Sequence, residues 1–158
     1  MRSKYTSTLA ILVCFFFIQS CSSDDEDDFP LVGTNISMDE IAGTWNATRA
    51  SFSLAADGPA VELEVVAAGG TVTLVIQANG RFTLTIVLPA RSPEVSTGQL
   101  GFDEDLLVVS YDEDPEDYEL FGIQATETTL SISGPSEFDF DGDGTDEAAI
   151  VELDMERN

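Results

Sequence analysis

The chain has 158 residues, with 30 Asp or Glu against six Lys or Arg and a formal net charge of −24. A surface this acidic repels phosphate backbones and anionic headgroups, which excludes nucleic acid as a partner and leaves cations as the natural counter-ligands. There is no His, and the single Lys stands at position 4, so Ser–His and Cys–His catalysis, His-ligated zinc and Schiff-base chemistry are excluded from everything beyond the first residues.

In chain order, Arg2 and Lys4 precede an unbroken apolar run from Leu9 to Ile18. A bilayer span takes about 20 apolar residues, so this shorter run with a basic head is expected to be a secretory signal, residues 1–20. The segment ends Ile18-Gln19-Ser20-Cys21, which resembles the lipobox of bacterial lipoproteins. That resemblance implies cleavage before Cys21 and acylation of Cys21, and multiple acyl chains suffice for stable membrane anchoring. An ordinary signal with a chance cysteine is the plainer alternative. Cys14 would leave with the signal, so the mature chain would hold no thiol for a disulfide, a metal or a nucleophile. Asp24-Asp25-Glu26-Asp27-Asp28 follows; such a run cannot bury enough apolar surface to fold, and residues 21–38 are expected to form a disordered acidic tether. It is similar to tethers that carry Gram-negative lipoproteins to the outer face of the outer membrane, which implies a lipid-anchored, cell-surface location; a periplasm-facing anchor is the alternative.

Residues 39–158 form one domain's worth of chain. Ser37-Met38-Asp39-Glu40 is a capping-box pattern for a single helical turn. Beyond it the apolar period is two, not 3.6, which predicts strands near 43–54, 60–67, 71–77, 81–88, 98–102, 106–111, 118–125, 129–133 and 147–156. Asp57-Gly58-Pro59, Gly69-Gly70, Asn79-Gly80, Asp114-Pro115 and Gly134-Pro135 are the expected turns. Short strands with tight turns make an all-β antiparallel meander, closed as a barrel or packed as a sandwich. For the hairpin at 71–88, only a three-residue Ala78-Asn79-Gly80 loop pairing Gln77 with Arg81 brings both apolar sets to one face, which predicts a left-handed Gly80.

Ile41-Ala42-Gly43-Thr44-Trp45, after one helical turn, resembles the opening G-x-W motif of the lipocalin-like β-barrels, and Arg157 stands late in the last strand as that family's conserved arginine does. The resemblance implies an up-and-down barrel of about eight to nine strands over 39–157, with Trp45 and Arg157 packed across its floor. A guanidinium over an indole face is a favourable contact in any case. Strict alternation from Trp45 would turn Arg49 inward and Ala50 and Phe52 outward. Either a bulge re-phases the strand, or Arg49 lines a polar upper cavity and binds an anionic ligand.

Asp139-Phe140-Asp141-Gly142-Asp143-Gly144-Thr145-Asp146-Glu147 resembles the D-x-D-x-D-G calcium loops. Asp139, Asp141, Asp143 and Glu147 would give carboxylate oxygens and Thr145 its carbonyl; the twelfth position is Ile150 rather than an acid, which points to a structural Ca2+ site, with a solvated acidic loop as the alternative. Three functions are open: a membrane-tethered barrel holding a small apolar ligand, a structural or interaction surface protein with a filled, calcium-stabilised barrel, and an enzyme with paired carboxylates, which would need a cleft with two facing acids. The first is the leading expectation and no catalytic residues are assigned. The oligomeric state is left open.

Overall fold

The computed structural model describes residues 31–32, 35–54 and 61–158. The signal segment, Cys21, the acidic run and the Asp57-Gly58-Pro59 turn lie outside the described residues. Ten strands and one short helix follow in order: β1 (Leu31–Val32), α1 (Met38–Ile41), β2 (Gly43–Leu54), β3 (Glu62–Glu64), β4 (Thr71–Ile76), β5 (Arg81–Val87), β6 (Glu94–Asp103), β7 (Leu106–Tyr111), β8 (Asp114–Ala125), β9 (Thr129–Phe138) and β10 (Glu147–Arg157). Each neighbour in the sheet is antiparallel. Pairing runs β8-β7-β6-β5-β4-β2-β10-β9 and returns to β8, which closes an eight-stranded barrel. β3 continues the sheet beside the upper part of β2, and β1 adds to β8.

Alternation decides what fills the barrel. On β10 Ala149, Val151, Leu153 and Met155 are buried while Ile150, Glu152 and Glu156 are exposed. On β4 Val72, Leu74 and Ile76 are buried and pair with Ile86, Leu84 and Phe82 of β5. That hairpin takes the three-residue loop: the Gln77 N–H donates to the Arg81 carbonyl at 2.8 Å and Gly80 has φ +82°.

β2 changes phase halfway. Its register against β10 shifts between Asp154 and Met155, leaving Thr48 unpaired between Ala47 and Arg49. A single bulged residue exchanges the two faces of a strand, so Trp45 below it and Ala50 and Phe52 above it all point into the core. Where β2 passes from β4 to β3, the Glu64 carboxylate accepts the backbone N–H groups of Ala50 (2.8 Å), Val66 (3.2 Å) and Ala67. These bonds, led by Ala50, hold its pKa below the usual carboxylate value.

Two expected turns are strand instead. The β7–β8 turn is at Asp112-Glu113, and β8 begins at Asp114 and runs through Pro115. Pro115 lies across from Ser110, where the β7–β8 ladder is already interrupted, so its missing N–H costs no ladder bond. β9 likewise runs through Gly134-Pro135 to Phe138 while paired to β10. Its ladder to β8, however, covers only Leu130–Ser133 against Gly122–Ala125. Beyond that point Gly134 has no side chain and Phe121 lies over it; a Cβ at 134 would sit 2.5 Å from the Phe121 ring. The upper halves of β8 and β9 therefore part, and the barrel wall has a slot there.

The opposite end is sealed. Trp45, the chain's one tryptophan, is fully buried, and its indole N–H donates to the Ile41 carbonyl at 2.8 Å. The Arg157 guanidinium lies 4.1 Å from the indole centroid. It donates to the carbonyls of Ala42 (2.6 Å), Glu40 (2.5 Å) and Glu127 (2.7 Å). Gly43 makes room for it: φ is +147°, and a Cβ there would sit 2.6 Å from Arg157 Nη1. The helix that supplies two of those carbonyls is itself capped by Ser37 and Glu40 in a reciprocal capping box.

Arg157→Ala removes a cation–π contact and three charge-assisted hydrogen bonds and is expected to lower stability by about 3 kcal/mol. Arg157→Lys, with a single-point ammonium, should recover less than half of that. Urea denaturation followed by Trp45 fluorescence measures both; an Arg157→Ala midpoint equal to the parent's would contradict the assignment.

Candidate ligand cavity and acidic loop

Above the Trp45 floor the barrel is hollow. A cavity of about 600 Å3 lies between β2, β4–β10 and the β9–β10 loop. Its wall is largely aliphatic, with Leu74, Leu84, Leu107, Val109 and Leu153; Phe82 lies at the floor end of β5, and Phe52 and Phe138 stand toward the mouth. Phe52 and Phe138 stack at 4.5 Å between centroids, and Phe138 meets Phe140 edge-on at 5.2 Å. Val95, on the rim, is 58% exposed.

The polar groups are confined to one side and the mouth. Tyr111 lines the cavity and packs edge-on against Phe82 at 5.9 Å. Burial, and after it the charge of Glu119, pushes its phenol up to about 12. Glu119 stands half-buried on β8 in phase with the buried Phe121, Ile123 and Ala125, beside the slot, and Glu137, an exposed residue of β9 out of phase with the buried Leu130, Ile132 and Phe138, borders the same cavity at its edge. Desolvation first, then the charges of Glu137 and Asp117, raise the Glu119 pKa. No described side chain donates a hydrogen bond or forms an ion pair with Glu119.

The loop after β9 meets the cavity through Asp139, Gly144 and Asp146. Carboxylate oxygens of Asp139, Asp141 and Asp143 lie within 4.8 Å of one another. The same carboxylates organise the turn: Asp139 accepts N–H groups from Gly142 (2.6 Å) and Asp143 (3.2 Å) on one oxygen and from Gly144 (3.1 Å) on the other, Asp141 from Asp143 (3.0 Å), and Asp143 from Thr145 (2.8 Å). Gly142 and Gly144 hold φ +80° and +89°, the left-handed backbone that such a tight loop needs. For Asp139 burial works against ionisation, but the N–H donors and Arg91 outweigh it and the pKa is lowered. Glu147 accepts the Phe140 N–H at 3.0 Å and so closes the loop at its base. Thr145 is exposed.

Arg49 stands elsewhere. The Thr48 bulge turns it to the outer face, where it pairs with Glu152 at 2.9 Å and lies 3.7 Å from both Glu62 and Asp154. It is not among the residues lining the inner cavity, so the inward, anion-binding placement is corrected in favour of the bulge. Glu119, Tyr111 and Glu137 were missed. For Glu119 the signal was present as its alternation with Phe121 and Ile123, whereas Glu137 lies past a Gly-Pro pair that looks like a turn.

The fold and site thus define a closed antiparallel barrel, sealed at one end and hollow with an acid-edged mouth at the other. No protein-family model matches the chain, and a search of curated proteins likewise returns no match.

The folded state holds a proton on Glu119 more tightly than the unfolded chain does. Its ionisation therefore penalises the fold above the raised pKa, and the penalty fades as pH falls to the unfolded carboxylate value of about 4.3. Glu119→Gln is expected to raise the Tm at pH 7 and to give a smaller gain at pH 4.5. Thermal melts by circular dichroism at the two pH values check this; an unchanged Tm at pH 7 would contradict a desolvated Glu119.

Proposed function

We propose that the chain is a lipid-anchored, lipocalin-like barrel that holds a small, mainly apolar ligand at the outer membrane, with the barrel facing the cell exterior. The observation that carries this reading is the cavity of about 600 Å3 above the Trp45 floor, apolar over much of its wall and acidic toward its mouth. That size falls among small-molecule sites, and a few polar groups at one side of an apolar pocket are the usual means of orienting a ligand. A structural barrel filled to its axis would leave no such space. The anchor rests on the sequence alone, on Ile18-Gln19-Ser20-Cys21 and the acids that follow.

Hydrolysis by the Glu119 and Glu137 carboxylates fits the site less well. Two acids at one cavity meet one requirement of glycoside cleavage, but most of the remaining wall is apolar and offers few donors to sugar hydroxyls. The protein is read as a binder without catalysis.

A neutral apolar fluorophore such as Nile red should bind the Cys21→Ser chain saturably, and Leu84→Trp, which fills the lower cavity, should weaken binding by about tenfold or more through lost apolar contact. Absence of saturable binding, or equal affinity in the filled variant, would contradict the reading.

The close Asp139, Asp141 and Asp143 oxygens support a structural calcium at the cavity mouth. In about 5 mM calcium the Tm should rise by about 5 °C over that in chelator, as expected for a ligand some 50-fold above its Kd, and Asp141→Asn should abolish the rise. Equal melting in calcium and chelator would contradict a metal at this loop.

A further inference from the structure

We propose that the ligand is an amphiphilic cation, its apolar body in the lower cavity and an ammonium-type head against Glu119 and Glu137 at the slot. This rests on the ligand-holding reading and adds the chemical class of the ligand.

Charge accounting inside the barrel carries the inference. Glu119 is turned into the cavity by the same alternation that buries Phe121 and Ile123, and it stands on an apolar wall opposite Val109 of β7. A carboxylate in such surroundings is costly unless a cation or hydrogen-bond donors meet it. Among the described residues no basic side chain pairs with Glu119 and no side-chain donor hydrogen-bonds to it, although Tyr111, with its hydroxyl, lines the same cavity. Beyond position 4 the chain's only basic side chains are Arg49, Arg81, Arg91 and Arg157, and each is committed elsewhere. Arg49 pairs with Glu152 outside the barrel, and Arg81 forms a bidentate pair with Asp112 at 2.7 and 2.6 Å. Arg91 donates to the Asp139 carbonyl at 2.8 Å, and Arg157 is stacked on Trp45 at the closed end. None of the four lines the cavity.

The remaining acids of the wall, Glu94, Glu137, Asp139 and Asp146, stand at the mouth and give the entrance the same sign. Low-dielectric walls carrying one sign of charge concentrate ions of the other. A fatty acid or another anionic amphiphile would bring its head to these carboxylates and be repelled. A neutral lipid would fill the aliphatic part and leave Glu119 unmet. An alkyl- or arylammonium meets both demands, and Tyr111, near enough to feel the charge of Glu119, adds aromatic surface of the kind cations favour.

The test compares three probes of equal chain length, decyltrimethylammonium, decanol and decanoate, each below its micelle concentration. They are titrated calorimetrically into the full chain carrying Cys21→Ser, in about 0.15 M salt so that distant surface charge is screened. The ammonium is expected to bind about tenfold tighter than the alcohol, with the carboxylate weakest. Glu119→Gln should bring ammonium and alcohol to within about threefold of one another. Glu156→Gln, an exposed acid at the closed end, should keep the full preference. Equal or tighter binding of decanol or decanoate, or a preference that survives Glu119→Gln, would overturn the inference and leave the cavity reading standing. If none of the three binds, the ligand-holding reading fails, and the inference with it.

Discussion

A guanidinium stacked 4.1 Å from the indole centroid, with its N–H groups spent on three backbone carbonyls, is the constraint on which this barrel depends. It joins the start of the first long strand, the helical turn before it, the β8–β9 turn and the end of the last strand. Those pieces are far apart in sequence, and a ring of strands closes only where they meet. Two of the carbonyls, Glu40 and Ala42, stand at a helix end that leaves its last carbonyls without partners, and the third, Glu127, lies in the β8–β9 turn, so Arg157 satisfies polar groups of two separate segments at the floor. Gly43 belongs to the same device, since any side chain there would occupy the space of Arg157.

A tight floor lets the other end be loose. β8 and β9 share a ladder only near the floor, and above it Gly134, Pro135 and Phe121 keep them apart. The space that results is apolar below and acidic at its edge. Its half-buried carboxylate, Glu119, is costly to the fold and has no basic partner among the described residues. Carrying such a group is easier to understand in a site that binds than in a wall that merely packs. The loop of Asp139, Asp141 and Asp143 sits on the same rim and is tied to the wall through Phe140 and Phe138. A cation there would act on the mouth of the cavity as well as on the loop.

Much of this was legible from residues alone. Alternation marked nearly all the barrel strands, and the hairpin register followed from the need to put Val72, Leu74, Phe82 and Leu84 on one side. Gly43-Thr44-Trp45 and Arg157 could be paired because each is a short local pattern at the right strand parity. What stayed hidden was decided by partners distant in the chain. The Thr48 bulge exists against β10, and nothing within 43–54 says which residue is skipped, so the facing of Arg49 could be posed but not decided. Gly134-Pro135 has the composition of a turn; it remains strand because β10 pairs along one edge while the other faces the slot. With the strand ended too early, Ser136, Glu137 and Phe138 dropped from view, and with them the acidic side of the cavity.

The asymmetry between a locked floor and a parted rim is the central claim, and native-state hydrogen exchange followed by NMR tests it amide by amide. The account predicts the slowest exchange in strand segments around Trp45, Leu74 and Met155, close to that of global unfolding, and markedly faster exchange along 118–121 and 136–138 beside the slot. Uniform protection around the ring, or slower exchange at the slot than at the floor, would contradict it.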